Sequence, residues 1–237
     1  MKIFKTFFAI MTCVLACVFC NGAGANNKAN PSAIISHNYR AFALEIDDVN
    51  AAIIKAGDKI DFMFAFEAIF KDNPRDMMST TILQDILVLK TVKIKGRNYW
   101  ILSLTPFEVQ YTALSQRESP FPAAATLRSD GDNQRYPVNI AFMSKIENDD
   151  FNLLESKIKR LYALPVPCES RDIKNNSFAN INALTANGKN LRFSSVAFRD
   201  KLKIGDKCYR QAAVSPELAQ ILFLIEQAGG KFSIEER

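Results

Sequence analysis

The chain has 237 residues, of which 48% are hydrophobic and 23% charged, and a formal net charge of +5. Such a composition supports a folded protein with a sizeable core and excludes an intrinsically disordered or low-complexity chain. Lysine and arginine are interspersed with acids instead of forming a basic face, which argues against nucleic acid as a partner.

The N-terminus reads Met1-Lys2-Ile3-Phe4-Lys5, then an apolar run from Thr6 to Cys20, then Asn21-Gly22-Ala23-Gly24-Ala25. Two cations, a short apolar stretch and an Ala-x-Ala tripeptide are the three parts of a secretory signal peptide, with cleavage expected between Ala25 and Asn26. A bilayer span needs about 20 apolar residues, which weakens the rival reading as a retained anchor. A second rival is lipoprotein processing at Cys17, since Val14-Leu15-Ala16-Cys17 is a loose lipobox with an unfavourable Leu15. Cleavage at Ala25 removes Lys2 and Lys5, taking Lys+Arg from 30 to 28 against 25 acids and the net charge to +3. It also removes Cys13, Cys17 and Cys20, leaving Cys168 and Cys208. In an exported protein these two form either one disulfide or two separate buried thiols. A bridge closing a loop of that length would stabilise by about 4 kcal/mol through loop entropy.

Residues 26–38 are polar, contain Pro31 and form a lead-in. Strand signals begin at Tyr39. Phe42, Leu44 and Ile46 share one face of an alternating segment that Asp47-Asp48 ends, and Ile60, Phe62, Phe64 and Phe66 repeat the alternation after Gly57-Asp58. Thr80 to Ile94 is rich in Ile, Leu and Val, and Tyr99 to Leu104 adds another strand. Thr105-Pro106-Phe107-Glu108 opens a helix with a capping box and proline in the first turn, running to about Glu118. Ala123 to Arg128 returns as a strand. Behind Asn148 and Asp149, the spacing of Phe151, Leu154, Ile158 and Leu161 predicts an amphipathic helix with a core-facing stripe. Cys208 to Val214 reads as a strand, and Ser215-Pro216-Glu217 opens a last helix ending near Gly229-Gly230. The fold class is therefore α+β, mainly antiparallel β with two to three short helices.

Thr105-Pro106-Phe107-Glu108-Val109-Gln110 matches Ser215-Pro216-Glu217-Leu218-Ala219-Gln220. Each follows a strand with a tyrosine (Tyr99, Tyr209) and precedes a strand ending in arginine (Arg128, Arg237). The pattern predicts two related strand-helix-strand lobes, residues 39–132 and 133–237, with 136–168 between the two matched units.

Catalytic signals are few. His37 is the chain's single histidine and lies in the lead-in, so multi-histidine metal sites are excluded and a Ser-His-Asp or Cys-His system has no fixed place. No phosphate-cradling glycine loop or G-x-S-x-G elbow occurs, and the Cys17/Cys20 spacing lies in the leader. Asp47-Asp48, Asp149-Asp150 and Asp58/Asp61 sit where strand ends, helix first turns and polar strand faces place acids. Trp100 beside Tyr99 could stack on a sugar, although a large aromatic on a strand more often belongs to a core. No enzyme activity, cofactor or metal is expected.

The strand segments resemble a known family. Arg40 to Asp47 followed by Ile54 to Phe62 is similar to the "RAV-x-V-x-V-D … PGD-x-V-D-V" signature of the CpaB/RcpC family of Flp (Tad) pilus assembly proteins. Thr80 to Leu89 resembles its "T-x-x-LLQNVRVLA" strand, Ser103 to Gln110 its "L-x-VTPEQA" junction, and Thr126 to Asp132 its "LALRSPGD" ending; Ser215 to Arg237 resembles its C-terminal segment. The resemblance implies a non-catalytic periplasmic component that acts with the outer-membrane secretin and other pilus-assembly proteins. Peripheral envelope association and a homo-oligomer are compatible with it. The family's SAF (β-clip) domain is largely absent, since only residues 26–39 separate the expected cut from Arg40. A glycan- or peptide-binding module on the same scaffold is the alternative.

Overall fold

Alternating apolar segments punctuated by turns build the strands of the computed structural model, which describes residues 38–70, 73–119, 123–148, 153, 156–169 and 175–236, all within the compact unit Ile35–Arg237. In chain order they are β1 (Arg40–Ile46), α1 (Asp48–Ile53), β2 (Lys59–Phe70), β3 (Asn73–Ile94), β4 (Arg97–Leu104), α2 (Pro106–Glu118), β5 (Ala124–Leu127), β6 (Ile140–Phe142), α3 (Met143–Glu147), β7 (Arg160–Val166), β8 (Ser177–Leu184), β9 (Asn190–Ile204), β10 (Lys207–Val214), α4 (Pro216–Gln227) and β11 (Lys231–Glu236). The strands join in one antiparallel sheet of order β1-β4-β3-β2-β5-β7-β10-β9-β8-β11, with β6 added to β3. The fold is α+β and mainly antiparallel β.

That order is one module used twice. β1-β4-β3-β2-β5 and β7-β10-β9-β8-β11 have the same succession, and the helix follows the fourth strand of each. Register agrees pair by pair. Arg40 faces Leu104 and Ile46 faces Asn98 in the first module; Arg160 faces Val214 and Val166 faces Cys208 in the second. Ile60 pairs with both Ile86 and Leu127, as Ala179 pairs with both Val196 and Glu236. Even the irregularities recur. A bulge lies between Ile60 and Phe62 and again between Ala179 and Ile181, and it places Asp85 (φ 66°) and Ser195 (φ 58°) in the left-handed region. Each strained residue directs its backbone N–H to the side chain opposite, Asp85 to Asp61 Oδ1 (2.9 Å) and Ser195 to Asn180 Oδ1 (3.3 Å). The two expected lobes are thus related strand by strand.

Local chemistry fixes the helices. Thr105 accepts from the Glu108 N–H while the Glu108 carboxylate accepts from the Thr105 N–H, a complete capping box with Pro106 in the first turn. Ser215 caps α4 by accepting from the Leu218 N–H, without the returning carboxylate. At the end of α4, Gly229 takes φ 86°, and a side chain on Gly230 would run into Ile225 Cγ2 and meet the Ile225 and Leu184 carbonyl oxygens at 2.8 Å. Only glycine allows so close a return of the chain onto its own helix.

Two cores result. Leu44, Phe62, Phe64, Val88, Trp100 and Leu102 fill the first module; Leu164, Ile181, Phe198, Ala212 and most of α4 fill the second. Met63 and Ala65, on the opposite face of β2 from Phe62 and Phe64, belong to the second core.

Several expectations are corrected. There are four helices among the described residues, since Asp47 caps α1 instead of only ending β1. The amphipathic helix expected through Phe151, Leu154, Ile158 and Leu161 is not formed at its C-terminal half: Ile158 is outside any helix and Leu161 lies in β7, while Phe151 and Leu154 are outside the described residues. Burial of Arg160, Tyr162, Leu164 and Val166 follows a period of two, and Pro165 and Pro167 bar a helix there. Asn148 is instead the C-cap of α3. β8 and β9 have no counterpart in the sequence reading, although Asn187-Gly188 between them is a hairpin turn signal.

Candidate interaction surface

The junction of the modules begins with a single backbone pair, Leu127 opposite Leu161. A buried ion cluster lies beside it. Arg160, the first residue of β7, reaches back so that its Nε donates to Asp61 Oδ2 (2.7 Å), while Arg128 Nε donates to Asp61 Oδ1 (2.6 Å); all three side chains are fully buried. Arg160 also donates to Asp132 and to the Gln134 carbonyl, and Lys59 lies 3.0 Å from Asp85. For Asp132, burial works upward, but the Gln134 N–H and Arg160 outweigh it and hold the carboxyl below its ordinary range. The Tyr136 ring lies under Arg160, and burial, reinforced by the Asp61 charge, pushes its phenol up to about 12. This cluster is structural, with every acidic oxygen at Asp61 engaged.

Helix α4 is the second part of the junction. It covers its own module and also packs on β2, β3 and β6 of the preceding one. The Gln220 carbonyl accepts from Ser79 Oγ (2.9 Å), and its side-chain amide lies 2.7 Å from Thr81 Oγ1, oriented to accept from Thr81 and to donate to the Asn139 carbonyl. Ile221 and Leu224 lie on that side and are buried.

The matching helix α2 has no such cover; Val109 packs inward on the first core, but larger apolar residues point outward. Thr112 and Ser115 face inward and are buried, whereas Phe107, Tyr111 and Leu114 are 73%, 42% and 51% exposed. Phe107 and Tyr111 stack on each other at 6.0 Å. Spaced at i, i+4 and i+7, these three form an exposed apolar stripe on one side of the helix. A second exposed apolar residue, Ile69 (79%), lies on the extension of the β2–β3 hairpin, where the β8–β9 hairpin of the second module is shorter.

A cleft of ≈ 660 Å3 separates α1 from β7, β10 and α4. Tyr162 donates from its hydroxyl to Glu226 Oε2 (2.8 Å) inside it, with Tyr209, Asp47 and Lys207 on its walls. Burial raises the Glu226 carboxyl above its ordinary value and the Asp47 charge adds to this, against the pull of Tyr162 and Lys207. Burial also lifts the Tyr162 phenol well above the usual range, helped by the Glu226 charge, and raises Tyr209. These groups can hydrogen-bond a polar ligand.

Cys168 and Cys208 form a disulfide, Cα–Cα 5.1 Å, just beyond the end of the β7–β10 ladder. It stands where the first module has a hydrogen bond from Asn98 Nδ2 to Asp48 Oδ1 (2.6 Å). Such a bond is compatible with an oxidising, exported compartment, and no helix of the described residues is long and apolar enough to cross a membrane. Ala25, Asn26, Cys17, His37 and Asp149-Asp150 lie outside the described residues. Trp100 is fully buried and packs edge-on against Phe62, so it belongs to the core and is closed to a sugar. Asp47 caps α1, Asp58 accepts from the Lys55 N–H, and Asp61 is the hub of the junction. No group of three or more His, Cys, Asp or Glu that could hold a metal ion occurs among the described residues.

Sequence reasoning missed the Arg160–Asp61 pair, which joins distant segments and leaves no local signal, and the exposed α2 stripe, whose spacing was visible but whose direction was not. As a class, the molecule is a tandem pair of β-rich modules with one helix buried at their junction and one left bare. No family model, curated protein or solved structure matches the chain.

Proposed function

We propose that the chain is a non-catalytic protein of the bacterial envelope that works by binding other proteins, in the manner of the CpaB/RcpC components of Flp (Tad) pilus assembly, and acts with the outer-membrane secretin. The observation that carries the protein-binding reading is the exposed apolar stripe of α2, Phe107, Tyr111 and Leu114. Support for an exported location comes from the disulfide and from the leader-like first 25 residues. The pilus assignment rests on the motifs between Arg40 and Asp132. The extended β2–β3 hairpin with Ile69 is the surface offered to the secretin. A photoreactive residue at position 69, activated in intact cells, is expected to give an adduct with the secretin; absence of that adduct, with pili intact after deletion of the protein, overturns the assignment.

The cleft favours a second reading, a periplasmic or secreted module binding a glycan or peptide between Tyr162, Tyr209 and Glu226. Binding of an oligosaccharide or peptide that Tyr209→Ala weakens, without secretin capture, would select it.

A further inference from the structure

The intrachain junction uses two half-sites, and both recur unfilled at opposite ends of the molecule. The helix half-site is Gln220, Ile221 and Leu224 on α4, all buried, with Gln220 bonded to Ser79 and Thr81 of the first module. Register and cap alignment put Gln110, Tyr111 and Leu114 of α2 at those places, and all three are exposed. The sheet half-site is Ala65, Ser79 and Thr81, where Ala65 pairs with Ser79 and Met63 with Thr81. In the second module Leu184 pairs with Asn190 and Asn182 with Arg192, so Leu184, Asn190 and Arg192 hold the corresponding places. These also are exposed, Leu184 by 40% although Ala65 is fully buried. The strand edges agree: β1, the counterpart of β7, and β11, the counterpart of β5, are the two terminal strands of the sheet among the described residues.

We infer that a second copy of this chain docks head to tail, α2 and β1 of one protomer seating on the outer face and β11 edge of the second module of its neighbour. The contact deepens the protein-binding reading, on which it rests, by naming the partner of α2. Because the two half-sites differ, the interface is heterologous and propagates into a ring or filament instead of stopping at a twofold dimer. It is also weaker than its intrachain template. Arg40 takes the place of Arg160, but Asn180 stands where Asp61 would receive it, so the buried ion cluster is not reproduced. Around Leu184 the seat is polar, with Arg192 paired to Glu235, where Ala65 has Met63 beside it. Assembly is therefore reversible and concentration-dependent.

Sedimentation velocity and native mass spectrometry of the purified, oxidised protein test this with two surface variants, Leu114→Glu and Leu184→Glu. The wild type is expected to form species rising in steps of one protomer. Each variant alone should lose at least about 30-fold in self-affinity, as for a central interface residue, while its urea midpoint stays at the wild-type value. An equimolar mixture of the two should give a heterodimer and nothing larger, because one intact helix face meets one intact sheet face. A wild type that is monomeric at its solubility limit, assemblies that survive either substitution, or a mixture that stays monomeric would each overturn the inference. Secretin capture at position 69 in cells reads the pilus assignment separately, since neither variant touches that hairpin.

Discussion

Replacing Asp61 by Asn removes one charge from the centre of the junction and is the most direct test of what joins the modules. Asp61 accepts from Arg128 Nε, Arg160 Nε and the Asp85 N–H, and none of the three ionised side chains at its centre is exposed to water. The amide can keep the Asp85 N–H, as Asn180 keeps the Ser195 N–H, but it turns an NH2 toward one guanidinium. Breaking a buried pair in this way costs about 3–5 kcal/mol. Arg160 retains Asp132 and the Gln134 carbonyl, which places the loss near the lower end, about 3 kcal/mol. For a domain of this size that is a fall of roughly 6–12 °C in Tm. Urea unfolding with the disulfide intact should show a lower midpoint at an unchanged m value. In the cycle with Arg160→Met the double variant should lose less than the sum of the singles by at least about 1 kcal/mol. A D61N loss below about 1 kcal/mol, or strict additivity, would refute the account of the junction.

Three further outcomes follow from local geometry. Cys208→Ser opens a loop that encloses β8 and β9 and should cost about 4 kcal/mol in urea unfolding; a loss under about 1 kcal/mol would show that the second module does not depend on the bridge. Gly230→Ala puts a methyl against two backbone carbonyls that cannot move aside and should destabilise by about 3 kcal/mol, more than Gly229→Ala, whose left-handed backbone costs about 1 kcal/mol with open space around it; equal losses would contradict the close approach. Glu226→Gln bears on pH. The folded-state carboxyl is raised, so the native protein holds a proton that the unfolded chain releases, and Glu226 lowers stability as pH rises from the ordinary glutamate value through the raised one. The variant should therefore match the wild type in acid and exceed it at neutral pH, and a wild-type advantage at neutral pH would reverse the sign.

Much of the first module was legible because its signals are local. Thr105-Pro106 is a polar cap before an apolar run, as Ser215-Pro216 is in the second module, and Phe62 and Phe64 alternate on a strand that buries one face. The two matched helix starts revealed the duplication. Its extent was hidden because the strand pairs diverged in side chain while keeping register: Phe62 became Ile181, Trp100 became Arg210, and Leu83 became Phe193. The stripe around Leu161 misled because Ile158 and Leu161 satisfy a helical spacing, and only the partners of Arg160 and Tyr162 across the sheet decide for a strand. Which side of α2 faces water depends on whether a module precedes it, a fact no window of sequence contains.

That dependence turns one duplicated plan into an asymmetric molecule. A helix that sits between two modules needs apolar residues on both sides, and α4 has them from Leu218 to Ile225. A helix on the first module needs an inner side only, yet α2 spends Thr112 and Ser115 there and sends Phe107, Tyr111 and Leu114 outward. Thr112 satisfies its own hydroxyl on the Glu108 carbonyl, so its burial costs little. Three large apolar side chains on the outer side, by contrast, give a lone chain nothing and expose it to aggregation. Two of the three, Tyr111 and Leu114, hold the places of Ile221 and Leu224 on α4, which is the physical ground for proposing a partner on that face.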